Sequence, residues 1–152
     1  MQEMFRTYNV TQTELLGEKM GCLLKPGDIV ALIGDLGAGK TAFTRGIGRG
    51  LGINDDITSP TFTIINVYDG SKPLAHMDAY RLKGPEDMIN IGFDDFLSGY
   101  VVVIEWAERI IPLLPEEILW IEIKTIDEKT REILLKYESH YYEKMILELN
   151  TK

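Results

Sequence analysis

Cysteine is almost missing. Cys22 stands alone among 152 residues, which excludes a disulfide framework and a cysteine-based metal site, and it reads as a small buried residue. No apolar run approaches the ~20 residues a membrane helix needs, so no membrane contact is expected. The opening stretch, Met1 to Arg6, lacks the basic start and apolar core of a secretory signal, and the expected location is the cytoplasm. Basic residues are in deficit, 16 against 24 acids, for a net charge of −8. Nucleic-acid binders draw most of their affinity from Lys and Arg against phosphate. The chain is therefore not expected to hold RNA alone, although RNA contact through a partner stays open. Repeats, Gly/Ser linkers and long charge runs are also missing. With 45% apolar and 26% charged residues, the composition is that of one globular domain over 1–152.

What is present alternates between strand and helix signals. Gln2 to Tyr8 reads as an edge strand. Asn9 caps a helix whose apolar positions are Leu15, Leu16, Met20, Leu23 and Leu24, at helical spacing. After a turn at Lys25–Asp28, Ile29–Ile33 is a continuous apolar run, the pattern of a strand buried on both faces. A helix is expected from the end of the next loop to about Leu51. Thr61–Tyr68 and Pro73–Tyr80 read as a hairpin around Asp69–Lys72, following strand and turn signals. Pro85 opens a short helix, and Phe93–Leu97 a helical turn. Tyr100–Ile104 is a second β-branched run ending at Glu105, with a short helix from Ala107 to Leu114. Ile118–Ile126 and Arg131–Tyr137 alternate as strands, their acids and lysines forming a solvated face, and His140–Leu149 is an amphipathic helix. The expected fold is α/β, a P-loop NTPase-like three-layer sandwich. Its central sheet is mostly parallel, and the hairpin makes it mixed.

The sharpest signal is Gly34-Asp35-Leu36-Gly37-Ala38-Gly39-Lys40-Thr41, which fits G-x-x-x-x-G-K-[ST] at every fixed position. A buried strand precedes it and a helix follows, as the chemistry requires. The glycines let successive N–H groups face one anion, and the helix adds its unsatisfied N–H groups and positive dipole end. Lys40, read as a solvated charge, is aimed at the β- and γ-phosphates, and the Thr41 hydroxyl at Mg²⁺. The bland alternative is a glycine-rich turn with an exposed lysine.

Hydrolysis also needs a carboxylate near the metal and a group that orients water. Asp78 and Glu105 close two strands, and ligands of α/β sheets sit at strand C-termini. In Ser59-Pro60-Thr61-Phe62, Thr61 has the makings of a switch-loop Mg²⁺ ligand, and a plain loop is the alternative. Trp106 reads as core, with a place beside the nucleotide as its other option. His76 reads as a buried, hydrogen-bonded histidine and His140 as surface.

Taken in order, Gly34–Thr41, Ser59–Phe62, His76-Met77-Asp78-Ala79-Tyr80-Arg81 and Val103-Ile104-Glu105-Trp106 resemble the bacterial TsaE-type (YjeE) ATPase family. The resemblance spans about Thr13 to Trp106. It implies an ATPase acting in threonylcarbamoyladenosine synthesis at position 37 of tRNAs that read codons beginning with A. The implied cofactors are ATP and Mg²⁺. The implied partners are a TsaD-type threonylcarbamoyl transferase and its inactive TsaB-type paralogue, with tRNA met only through that complex, which ATP hydrolysis resets. It further implies that Asp35, Leu36, Gly37, Ala38, Gly39, Lys40 and Thr41 bind phosphate. Thr41, Thr61, Asp78 and Glu105 surround the metal, with the division of labour between the two acids open. Thr13 lies near the base, its bland role being a helix-surface hydroxyl. Two rival readings are a small-molecule kinase, for which no arginine-bearing lid segment is evident, and a nucleotide sensor without hydrolysis.

Overall fold

Largely β-branched, apolar sequence puts Ile29–Ile33 and Val101–Glu105 at the centre of the sheet. In the computed structural model, which describes residues 1–35, 37–60 and 64–150, both strands are buried almost throughout. The strands are β1 Gln2–Thr7, β2 Ile29–Ile33, β3 Ile65–Tyr68, β4 Leu74–Asp78, β5 Val101–Glu105, β6 Leu119–Thr125 and β7 Arg131–Lys136. They form one sheet in the order β1-β7-β6-β2-β5-β4-β3. Its four central strands, β6, β2, β5 and β4, are parallel, and each edge is completed by antiparallel pairing. The mixed sheet, the hairpin (β3–β4) and the edge strand thus match the expectation.

One face carries α1 Val10–Leu23, α2 Lys40–Gly50 and α4 His140–Asn150. The other carries α3 Pro85–Asn90 and two 3₁₀ segments, Phe93–Phe96 and Ala107–Leu113. Strand alternation divides the side chains between two cores. Val30, Leu32, Leu74, Val101 and Val103 face α1, α2 and α4. Ala31, Ala75, Met77, Val102 and Ile104 face Met88, Phe93 and Ile110 on the other side.

Asn9 caps α1 as expected, its Oδ1 accepting from the Gln12 N–H at 2.8 Å. Of the expected apolar set, Met20 and Leu24 are buried and Leu16 and Leu23 pack against the core, but the most deeply buried stripe of α1 adds residues the spacing did not mark. That stripe is Thr13, Gly17, Met20 and Gly21, and Leu15 is 49% exposed. The reason is backbone proximity to α2. A Cβ on Gly17 would lie 2.3 Å from the Phe43 carbonyl oxygen, and one on Gly46 only 2.0 Å from that of Glu14. Gly21 and Gly50 meet the facing helix in the same way. Cys22, expected to be buried, is exposed, because it sits one residue, about 100° of rotation, beyond the inward-facing Gly21.

The C-terminal helix is fastened to the start of β2. Tyr141 donates to both Asp28 carboxylate oxygens at 2.8 and 2.9 Å, and the Ile29 N–H donates to the Tyr142 hydroxyl at 3.1 Å. Burial raises the Asp28 carboxyl above its ordinary value and pushes the Tyr142 hydroxyl up to about 12, so the tyrosine is neutral at physiological pH.

Candidate functional site

The loop between β2 and α2 lies where the central parallel strands end. Gly37 and Gly39 hold φ of +81° and +108°, the left-handed region that a Cβ disfavours, and Gly39 directly precedes the first turn of α2. The loop is braced from within by the Ala38 N–H donating to the Asp35 carbonyl at 3.0 Å. Lys40 opens α2. Contrary to the expected solvated charge, it is 6% exposed. Its ammonium donates to the Gly34 carbonyl and lies 4.5 Å from the centroid of the Trp106 ring. A carbonyl and an aromatic face thus replace part of its water.

Asp78 and Glu105 are brought together. They are register partners on β4 and β5, on the sheet face directed toward α2, and each is 4% exposed. Asp78 Oδ1 accepts from the Tyr80 N–H at 2.8 Å. Glu105 Oε2 lies 2.7 Å from His76 Nε2, which makes His76 the buried, hydrogen-bonded histidine expected. Both acids line a cleft of about 450 Å³ shared with Gly37, Gly39, Lys40, Thr41, Ser59 and Trp106. Trp106 packs in part against the core, as expected, and also lines the cleft. It is half-buried, packs on Tyr80 with ring centroids 4.9 Å apart, and forms a wall of the cleft from a φ of +58°. Arg45 also borders this cleft and is paired with Glu14 at 3.1 Å.

A second cavity, of about 370 Å³, opens on the other flank of the loop. Thr13 lines it with Gly37, Ala38 and Gly39. Thr13 is buried rather than a surface hydroxyl, its Oγ1 2.7 Å from Thr7 Oγ1. Sequence reasoning missed the opposite wall, the β6–β7 turn bearing Glu128, Lys129 and Arg131. Arg131 spans turn and loop: Nε donates to the Ala38 carbonyl at 2.9 Å, and a terminal nitrogen donates to the Asp127 and Thr130 carbonyls at 2.8 and 3.0 Å. No local signal marked it, because its partner is 93 residues away.

Asp35 joins neither cavity. It is exposed and borders a separate hollow with Glu122 and Lys124. Leu36 and Thr61 lie outside the described residues. A larger hollow, about 570 Å³, at the far end of the sheet between Met1 and Trp120 contains none of the expected site residues.

Among the described residues, no three His, Cys, Asp or Glu side chains converge to hold a metal unaided. Two carboxylates and the Thr41 hydroxyl beside a phosphate-type loop still suit Mg²⁺. That ion keeps several waters and binds through one or two carboxylates plus substrate phosphates. No described helix is long and apolar enough to cross a membrane.

Strand, glycine loop and helix, with acids at the ends of the neighbouring parallel strands, define a P-loop NTPase-like α/β fold. The crystal structure of Bacillus subtilis YdiB shares it with a TM-score of 0.83 and 40% identity, over 99% of this chain and 95% of that one. The family model for threonylcarbamoyl adenosine biosynthesis protein TsaE matches residues 7–133, and the chain belongs to the TsaE family. It is 43% identical over 148 residues to the tRNA threonylcarbamoyladenosine biosynthesis protein TsaE of Bacillus subtilis, covering 96% of this chain and 92% of that protein. It is 47% identical over 118 residues to the Treponema pallidum protein of the same name, covering 77% and 87%.

Proposed function

We propose that this chain is a Mg²⁺-dependent ATPase. It acts in the threonylcarbamoyladenosine modification of tRNA in the cytoplasm by binding, and through hydrolysis resetting, a TsaD-type transferase with its TsaB-type paralogue. One observation carries the reading: Lys40, Thr41, Asp78 and Glu105 line a single cleft at the ends of parallel strands.

The loop N–H groups and the start of α2 take the phosphates, and Lys40 exchanges the Gly34 carbonyl for the β- and γ-phosphate oxygens. Thr41 and the two acids hold the metal and its waters. Mg²⁺ supplies charge neutralisation on the phosphate oxygens. A carboxylate at the strand end orients the water whose oxygen attacks the γ-phosphorus. The bond to the β-phosphate oxygen breaks, and ADP and phosphate leave. The base end of the nucleotide lies toward the cavity that Thr13 and the β6–β7 turn enclose. Thr61, by its position before β3, is a switch-loop ligand in this reading, and its ordering by the γ-phosphate couples nucleotide state to partner binding.

The test is ATP turnover with and without the transferase pair, alongside direct nucleotide binding. Lys40→Ala is expected to weaken ATP binding at least ~100-fold, about 2.7 kcal/mol, with the fold retained. Asp78→Asn and Glu105→Gln are expected to retain nucleotide and lose Mg²⁺-dependent hydrolysis. Unchanged ATP affinity in folded Lys40→Ala removes the premise, and wild-type turnover in both acid variants moves the chemistry elsewhere. The isolated chain, at net charge −8, is expected to bind tRNA negligibly at physiological salt. It is expected to be retained by the transferase pair more strongly with an ATP analogue than with ADP. Equal retention in both states sinks the switch.

A further inference from the structure

His76 has no part in the chemistry above, yet it is 0% exposed and directly beneath that chemistry. It lies on β4 two residues before Asp78, on the same face, and reaches across the β4–β5 pair to Glu105. Its Nε2 is 2.7 Å from Glu105 Oε2. Its Nδ1 is buried with no hydrogen-bond partner. A carboxylate oxygen accepts, so Nε2 is the donor in this bond. A ring protonated on Nδ1 alone would set two acceptors against each other and bury an orphan N–H. The Glu105 side chain borders the cleft.

We propose that His76 is a positioning residue. Through Nε2 it fixes Oε2 of Glu105 and so presents the rest of the carboxylate to the metal and its waters beside Thr41 and Asp78. The inference rests on the ATPase reading of the cleft. It explains why a polar ring occupies the face that Leu74, Val101 and Val103 otherwise fill with hydrocarbon. Outer partners that orient metal-binding groups characteristically change metal affinity or activity ~10–100-fold when removed.

The experiment has a part that needs no nucleotide. Long-range ¹H–¹⁵N spectra of the full chain at pH 7.5 read the ring directly. The expected pattern for His76 is a proton on Nε2 in a hydrogen bond, and a proton on Nδ1 with none on Nε2 overturns the proposal. The second part titrates Mg²⁺ against a non-hydrolysable ATP analogue, and measures turnover with the transferase pair, for wild type, His76→Leu and His76→Gln. Leu fills the space without a donor, whereas the Gln amide reaches where Nε2 stood. His76→Leu is expected to need at least ~10-fold more Mg²⁺ and to lose at least ~10-fold in kcat with KM for ATP unchanged, and His76→Gln to stay within ~3-fold of wild type. Wild-type behaviour of His76→Leu, or equal impairment of the two variants, overturns it. Should His76→Leu fail to fold, His76→Asn replaces it, being polar but too short to reach Glu105. If wild type itself binds no analogue, the ATPase reading falls, while the spectra still decide the His76–Glu105 bond.

Discussion

The two layers that sandwich the sheet are built on different principles. The layer of α1 and α2 is joined main chain to main chain, with Gly17 and Gly21 of one helix against Phe43 and Ile47 of the other, and Gly46 and Gly50 in return. The layer of α3 and the 3₁₀ segments is joined through bulky side chains. Met88, Phe93 and Ile110 fill it, each 0% exposed. The phosphate loop runs into α2, so the helix that carries the loop is the one held to its neighbour by backbone contact, while side chains such as Met20, Phe43 and Ile47 fill the space between this pair and the sheet. Fixing a loop to within the tolerance of a phosphate site calls for backbone contacts, because close-packed backbone cannot re-sort rotamers as a side-chain core can.

The largest expected effect tests whether the side-chain layer is separable from the chemistry. Met88→Ala is expected to cost ~2–5 kcal/mol of stability, as buried large-to-small changes do, with ATP affinity unchanged in the folded fraction. Urea melts and nucleotide titration check both halves, and a parallel loss of affinity would erase the division between layers. Next comes Gly46→Ala, where the added methyl meets the Glu14 carbonyl oxygen at 2.0 Å. The expected cost is ~1–3 kcal/mol, accompanied here by weaker nucleotide binding, since the shift is passed along α2 to Lys40. Its control is Gly84→Ala, before α3, where an added Cβ meets nothing within 4 Å and the change is expected to stay within ~0.5 kcal/mol. Equal melting temperatures for the two variants would contradict the backbone-contact account.

The smallest effect lies at the seam where α4 joins the first layer. Burial raises the Asp28 carboxyl in the folded chain above the ordinary 3.8. Its contribution to stability is therefore fully present below that value and is lost as pH rises through the raised one. The stability of wild type relative to Asp28→Asn is expected to decline across that interval and then level off. Denaturant melts at a series of pH values measure it, and a relative stability that rises with pH contradicts the assigned direction.

These contrasts also mark what could be read without a structure. The stretch from β2 through the loop to α2 was legible because its determinants are contiguous: an apolar run, fixed glycines, Lys40 and Thr41. Asp78 and Glu105 were legible because strand ends are where α/β sheets meet ligands. The α1–α2 contact was hidden by its own means. Apolar spacing marked the side of α1 that packs on the core, Leu15 excepted, whereas the contact with α2 is made where side chains are absent. The four-residue spacing of Gly17 with Gly21, and of Gly46 with Gly50, was the available signal. Arg131 had none, since one arginine in an alternating strand looks like any solvated charge until the turn that bears it is folded against Ala38. Lys40 was misjudged as solvated for the same reason: the Trp106 ring beside it arrives from the end of β5, 66 residues further along the chain.

The pairing of β1 with β7 carries a consequence for the order in which the molecule takes shape on the ribosome. Thr7 pairs with Arg131, so β1 is made 124 residues ahead of the strand it pairs with at the sheet edge. At ~5–20 residues per second that is a wait on the order of ten seconds. Arg131 opens β7 and is also the residue that reaches the Ala38 carbonyl. A nascent chain that has just exposed Gly34–Thr41 thus owns every atom of its phosphate loop but neither the edge strand's partner nor the loop's brace. Both arrive with the same late segment, so the loop gains its full bracing only when the sheet closes its edge.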